Sequence, residues 1–151
     1  FYDRLKPFLD QPLTVRVYGD PAGTQRRTSA TRSDWAIIKD AFADWRRVHP
    51  LLSMDYMVAS SHPAVKDRIN AVNAMLCNAH GERRLIVDPS CKELIADLEQ
   101  VAWKTDSAGN SIGELDKSNP KRTHISDALG YYIEKEHGLK QYGGPRSTLI
   151  A

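Results

Sequence analysis

Leu13-Thr14-Val15-Arg16-Val17-Tyr18-Gly19-Asp20-Pro21-Ala22-Gly23 is the stretch whose reading decides the fold class. Leu13, Val15 and Val17 alternate with Thr14, Arg16 and Tyr18, the period of a half-buried strand, and the run stops at Gly-Asp-Pro. In open α/β sheets ligands collect outside the carboxyl ends of the strands, so an acid at a strand tip is where a catalytic or metal-binding carboxylate belongs. Asp20 is therefore the first candidate. Asp-Pro with a following Gly is also common loop punctuation, and a plain turn stays open as the alternative.

Outward from this strand, helices and strands alternate. A basic, polar loop at 23–32 leads to a helix predicted over 33–48, with Trp35, Ile38, Phe42 and Trp45 at core spacing. A strand follows over 53–59, and Pro63 opens a helix whose apolar stripe is Val65, Ile69, Val72 and Leu76. Residues 84–88 read as a third strand and 91–102 as a helix with Leu94, Ile95, Leu98 and Val101 inward. A hairpin over 103–117 turns at Ala108-Gly109-Asn110, and a last helix runs from near His124 to Gly138, which is expected to supply a left-handed cap. This order implies parallel strands joined by crossovers, an α/β sandwich in a single domain over 1–138 with a tail at 139–151. Parallel pairing places Asp20, the Ser60-Ser61-His62 turn and Asp88 on one rim. Asp88 is a rival acid, although Asp88-Pro89-Ser90 before a helix favours a capping role. His62 reads as a loop residue at the rim.

The last helix opens with Arg122-Thr123-His124-Ile125-Ser126-Asp127-Ala128-Leu129-Gly130-Tyr131-Tyr132-Ile133. His124 and Asp127 are three apart and share a face, while Ile125, Leu129, Tyr132 and Ile133 form the stripe expected to hold the helix on a core. A divalent cation could reach both polar side chains from the adjacent face. The plainer reading is a first-turn acid favoured by the helix dipole beside an exposed histidine.

Taken together these segments resemble the C-terminal nuclease domain of tailed-phage terminase large subunits, the DNA-packaging motor proteins. The residues that carry the likeness are Tyr18-Gly19-Asp20-Pro21-Ala22-Gly23, Leu85-Ile86-Val87-Asp88-Pro89-Ser90-Cys91, Leu94-Ile95-Ala96-Asp97-Leu98-Glu99, Trp103-Lys104 and His124-Ile125-Ser126-Asp127-Ala128-Leu129-Gly130-Tyr131, in the family's order. The resemblance implies an RNase H-like three-layer sandwich with a central mixed sheet flanked by helices. It also implies three acids holding two Mg²⁺ or Mn²⁺ ions about 3.5–4 Å apart for phosphodiester cleavage. Asp20 matches the second acid and Asp127 the third, both as catalytic metal ligands, with His124 as the accompanying catalytic histidine. The implied partners are double-stranded DNA, a terminase small subunit and a portal protein, in the host cytoplasm. The family's first acid lies on an earlier strand, and residues 1–12, broken by Pro7 and Pro12, cannot supply that strand. The chain is accordingly expected to be a truncated copy of the domain, one alternative being a protein that binds DNA or a packaging partner without cutting.

A net charge of +2 over 151 residues is too small to prove a nucleic-acid partner. Its placement is more telling. Arg26, Arg27 and Arg32 follow the Asp20 strand, and Lys117, Lys121 and Arg122 precede the Asp127 helix, so both acids have a candidate DNA-binding rim beside them. Solvated loops are the alternative. Cys77 and Cys91 have no metal-ligand spacing and are expected to be buried structural thiols in a reducing compartment. The sequence has no P-loop, no membrane-spanning apolar run and no secretory signal.

Overall fold

In the computed structural model, which describes residues 2–25, 31–119 and 121–138, the predicted first strand is β1, Leu13–Val17. It pairs in parallel with β2, Leu52–Tyr56, with Leu13 opposite Leu52 and Val17 opposite Tyr56. Between them runs α2, Asp34–Val48. Ser33 caps this helix, its side chain accepting from the Ala36 N–H at 3.3 Å, with Asp34 in the first turn and Arg46 and Arg47 in the last, as the helix dipole favours. A short N-terminal helix, α1, Tyr2–Leu5, and a 3-10 turn at Lys6–Phe8 precede β1. Leu9, Phe42 and Leu52 are buried together, and Leu13, Val15, Ile38 and Trp45 pack on them. The aromatic spacing of α2 is thus core.

The second half is mainly helical. α3, Val65–Leu76, and α5, His124–His137, pack side by side, and α4, Lys92–Gln100, lies across α5. Ala71, Val72, Met75 and Ile133 form the second core, with Leu98 and Leu129 against it. β3, Trp103–Thr105, and β4, Ser111–Leu115, make an antiparallel hairpin whose turn is left-handed at Gly109, φ +84°.

The α/β class and the parallel β1–β2 pair follow the sequence reading; several finer expectations do not. The strands of the described residues form two separate two-stranded sheets rather than one central mixed sheet, so β1 is not an interior strand. Residues 84–88 are extended but unpaired. The N–H groups of Arg84 and Leu85 both donate to the Met75 carbonyl at 2.9 Å, so they close the C-terminal end of α3 instead of a ladder, and Ile86 is left 88% exposed. The stripe of α5 holds in part: Ile133 is buried and Leu129 packs on the core as expected, whereas Ile125 and Tyr132 are exposed and Gly130 and Tyr131 are buried instead, because α3 packs on the side that carries Asp127. Gly138 has φ −57° and is not a left-handed cap, although its N–H still donates to the Glu134 carbonyl. Cys77 and Cys91 are both exposed, not buried. The 139–151 tail lies outside the described residues.

Candidate functional site

Asp20 is held by an indole. Trp35, at the start of α2, lies so close to Gly19 and Gly23 that a Cβ at either would come within 2.7 and 2.6 Å of its ring, and its Nε1–H donates to the Asp20 carbonyl at 2.9 Å. Two glycines flanking the acid therefore serve close approach, not only a turn. The Asp20 Oδ1 accepts from the Ala22 N–H at 2.7 Å, capping a 3-10 turn at Pro21–Thr24. The same oxygen lies 3.3 Å from His62 Nδ1. The Ser60–His62 turn thus does share the rim with Asp20, as parallel strands require.

The Asp127 side is built by charges placed on apolar stripes. Arg68 lies between Val65 and Val72 in the spacing of α3, and its guanidinium is 3.0 Å from Asp127 Oδ1 and 4.2 Å from the centre of the Tyr131 ring. The Arg68 side chain is only 8% exposed and its Nε has no hydrogen-bond partner. Asp97 occupies the inward face of α4 and is almost fully buried. Its Oδ2 accepts from the N–H groups of Ile125 and Ser126 at 3.2 and 3.1 Å and from the Ser126 hydroxyl at 3.3 Å. This caps α5 from another helix. The residue in the N-cap position, Thr123, is left-handed at φ +78° and makes no side-chain cap, so the cap has to come from outside.

The two halves meet at the tip of β1. Tyr18 packs edge-on against Tyr132, 5.0 Å between centroids, and its hydroxyl donates to Glu136 Oε1 at 2.8 Å. That seam brings the Asp20 turn to α5. Burial raises the Tyr131 hydroxyl above the ordinary tyrosine pKa, Arg68 opposes this, and the charges of Asp20 and Asp127 both raise it further. The two acids, far apart in sequence, therefore both act electrostatically on one phenol.

His124 is not drawn in: it is exposed at the first position of α5, and its ring makes no hydrogen bond or ion pair among the described residues. Asp88 makes a turn before α4, its Oδ1 accepting from the Ser90 N–H at 2.8 Å, but it does not cap the helix as expected: the N-cap position is Cys91 and carries no side-chain cap. The Ser90 side chain, and after it the Ser90 N–H, hold its carboxyl below the usual range.

The predicted cations divide. Lys117 is exposed and lines a cleft of about 310 Å³ together with Lys104 and Asp127. Lys121 is exposed at the neighbouring turn. Arg122 is tied to Glu93 at 3.2 Å, Gln100 at 3.1 Å and Asp97 at 3.7 Å, and so braces α4 against the start of α5. Arg32 pairs with Asp40 of α2. Arg26 and Arg27 lie outside the described residues.

Carboxylate oxygens suit hard cations such as Mg²⁺ and Mn²⁺, but the number of ligands is short. Among the described residues no three His, Cys, Asp or Glu side chains gather as a metal site, and Asp127 already has Arg68 as counter-ion. The residues present do not by themselves fit a two-metal centre. Among the described residues no helix is long and apolar enough to cross a membrane.

Sequence reasoning passed over Arg68, and it quoted Asp97 and Tyr131 within the terminase-like segments without giving either a role. The signal was there: Arg68 and Asp97 are charges at positions where the helical period calls for an apolar side chain. Comparison with protein-family models, with curated proteins and with solved structures finds no match to this chain.

Proposed function

We propose that this chain is a terminase-type nuclease module, a divalent-metal-dependent endonuclease acting on concatemeric double-stranded DNA during phage genome packaging. The observation that carries the reading is the seam that brings the Asp20 turn to the Asp127 helix, where Tyr18, two residues before Asp20, packs on Tyr132 and bonds to Glu136. The parallel β1–α2–β2 unit with an acid after β1 supports the RNase H-like part of the proposal. Lys117 beside Asp127 supports the DNA part. Mg²⁺ or Mn²⁺ is the implied cofactor, a small subunit and a portal protein are the implied partners, and the host cytoplasm is the implied setting.

In this reading Asp20 and Asp127 are the catalytic acids and His62, beside Asp20, orients that carboxylate. His124 is the auxiliary group of the resemblance. A second reading has a specific observation behind it: the Arg68–Asp127 ion pair and the shortage of ligands favour a module that holds DNA or a packaging partner without cutting it.

The deciding experiment is plasmid nicking by the full chain in Mn²⁺, in Mg²⁺ and in EDTA, alongside gel-shift binding. Nicking that needs the metal and disappears in Asp20→Asn and in Asp127→Asn supports the nuclease. Cleavage that survives Asp20→Asn overturns the site, and metal-independent DNA binding without cleavage supports the second reading.

A further inference from the structure

A cavity of about 240 Å³ opens between α3, α4, α5 and the β3–β4 hairpin. Val72, Leu98 and Leu115 give it apolar walls, Trp103 an aromatic one, and Arg68, Ser126 and Asp127 a polar side. It is smaller than the roughly 300–1,000 Å³ of sites for drug-sized ligands, so a single flat ring system is the largest group it takes whole. Arg68 is 94% buried and lines the polar side with its Nη1 already on Asp127 Oδ1 at 3.0 Å, while its Nε, which lacks an acceptor, is buried away from the accessible surface. Asp97 and Asp127 also line the cavity, so two carboxylates face one arginine there and an anion is disfavoured inside.

The adjoining cleft shares Leu115 and Asp127 with the cavity and adds Lys104, Lys117 and Glu114; Glu114 holds Lys104 at 3.1 Å, so Lys117, in no ion pair among the described residues, is the cation that can meet an anion. A neutral planar head with ring acceptors, joined to an anionic tail, matches the two compartments in order.

We propose that this pair of compartments is a nucleotide subsite, the base lodged in the cavity against Trp103 and the phosphate on Lys117 at the adjoining cleft. A base paired and stacked inside a duplex cannot turn into a pocket, so the natural ligand is an unpaired nucleotide, either free or in a single-stranded or frayed stretch of DNA. The proposal relies on the nucleic-acid reading above only for the polymer form of the ligand, and on neither metal nor cleavage.

Calorimetric titration of the full chain in EDTA with deoxynucleosides, deoxynucleoside monophosphates and inorganic phosphate tests it, since failure to cleave DNA has no bearing on that result. Monophosphates should bind more tightly than nucleosides, and inorganic phosphate should not compete at equal concentration. Trp103→Ala should weaken monophosphate binding about tenfold and Trp103→Phe much less, as base stacking implies. Lys117→Ala should weaken the monophosphate and leave the nucleoside unchanged. Asn73→Trp, at an exposed position lining the same cavity, should block both without touching the core. A single-stranded oligonucleotide that binds better than its duplex identifies the polymer as the source; equal binding by the monophosphate alone identifies the free nucleotide. Binding that is indifferent to Trp103→Ala and to Asn73→Trp, or matched by inorganic phosphate, overturns the subsite.

Discussion

Arg68 and Tyr131 show how single side chains tie the two acids into one electrostatic unit. A phenol that stays neutral to higher pH than usual is expected wherever burial and nearby carboxylates both disfavour its anion, and Tyr131 has both. Asp20→Asn and Asp127→Asn should therefore each bring the Tyr131 titration back toward the ordinary value of about 10, read as phenolate absorbance against a Tyr131→Phe reference. If Asp20→Asn leaves that titration unmoved, the acids do not converge. The sign for stability follows from the same shift. A folded-state pKa above the unfolded one leaves stability intact below the unfolded value and erodes it as pH rises through the folded value, so the alkaline limb should begin above about pH 10. Tyr18 and Tyr56, also raised chiefly by burial, should act in the same window.

Among the elements, α5 depends most on a group outside itself. With Thr123 left-handed and unable to cap, Asp97 supplies the acceptor for the first N–H groups of the helix. Asp97→Ala should cost roughly 2–4 kcal/mol, since it strips a charge-assisted cap and leaves buried donors unpaired; denaturant midpoints measure it. Asp97→Asn should cost less, because an amide oxygen still accepts. The Asp20 turn depends on the indole in a similar way. Gly19→Ala sets a methyl group 2.7 Å from a rigid ring that cannot step aside, and should cost about 1–3 kcal/mol by the same assay, where an ordinary surface turn tolerates alanine.

On the scale of the whole molecule, two cores are joined by the Tyr18–Tyr132 seam, and the interior charges lie in the helical half. Removing one partner of the Arg68–Asp127 pair, as in Arg68→Met, should cost about 3 kcal/mol, the lower end of the range for a buried pair because Asp127 is 31% exposed and can be hydrated. Replacing both by apolar residues should recover much of that loss, which a double-mutant cycle in denaturant tests. The surface cations should separate by role. Lys117→Ala and Lys121→Ala are each expected to flatten the dependence of log K on log salt for DNA binding by just under one unit if the lysine contacts a phosphate. Arg122→Ala should instead lower the unfolding midpoint, because its guanidinium braces α4 on α5. A salt slope unchanged in both lysine variants returns them to solvated loops.

Local pattern alone was enough for much of the frame. The alternation of Leu13, Val15 and Val17 marks β1, the Trp35–Phe42 spacing marks the buried face of α2, Ser33 marks its start and Gly109 the hairpin turn. Each of these rests on a period or a backbone preference carried by neighbouring residues. Asp20 and Asp127 were legible as acids at element ends for the same reason. Tertiary structure decided the rest. A strand needs a partner, and residues 84–88 found the end of α3 instead. A helix face is chosen by what packs on it, so α5 presents Asp127 to Arg68, leaves Ile125 outside and gives Tyr132 to the Tyr18 seam. Whether a charge on an apolar stripe is tolerated depends on a partner from a distant segment: Asp97 found the first turn of α5, and Arg68 found Asp127 and Tyr131. Long-range partners have no period, which is why these interior groups emerged only once the helices were in place.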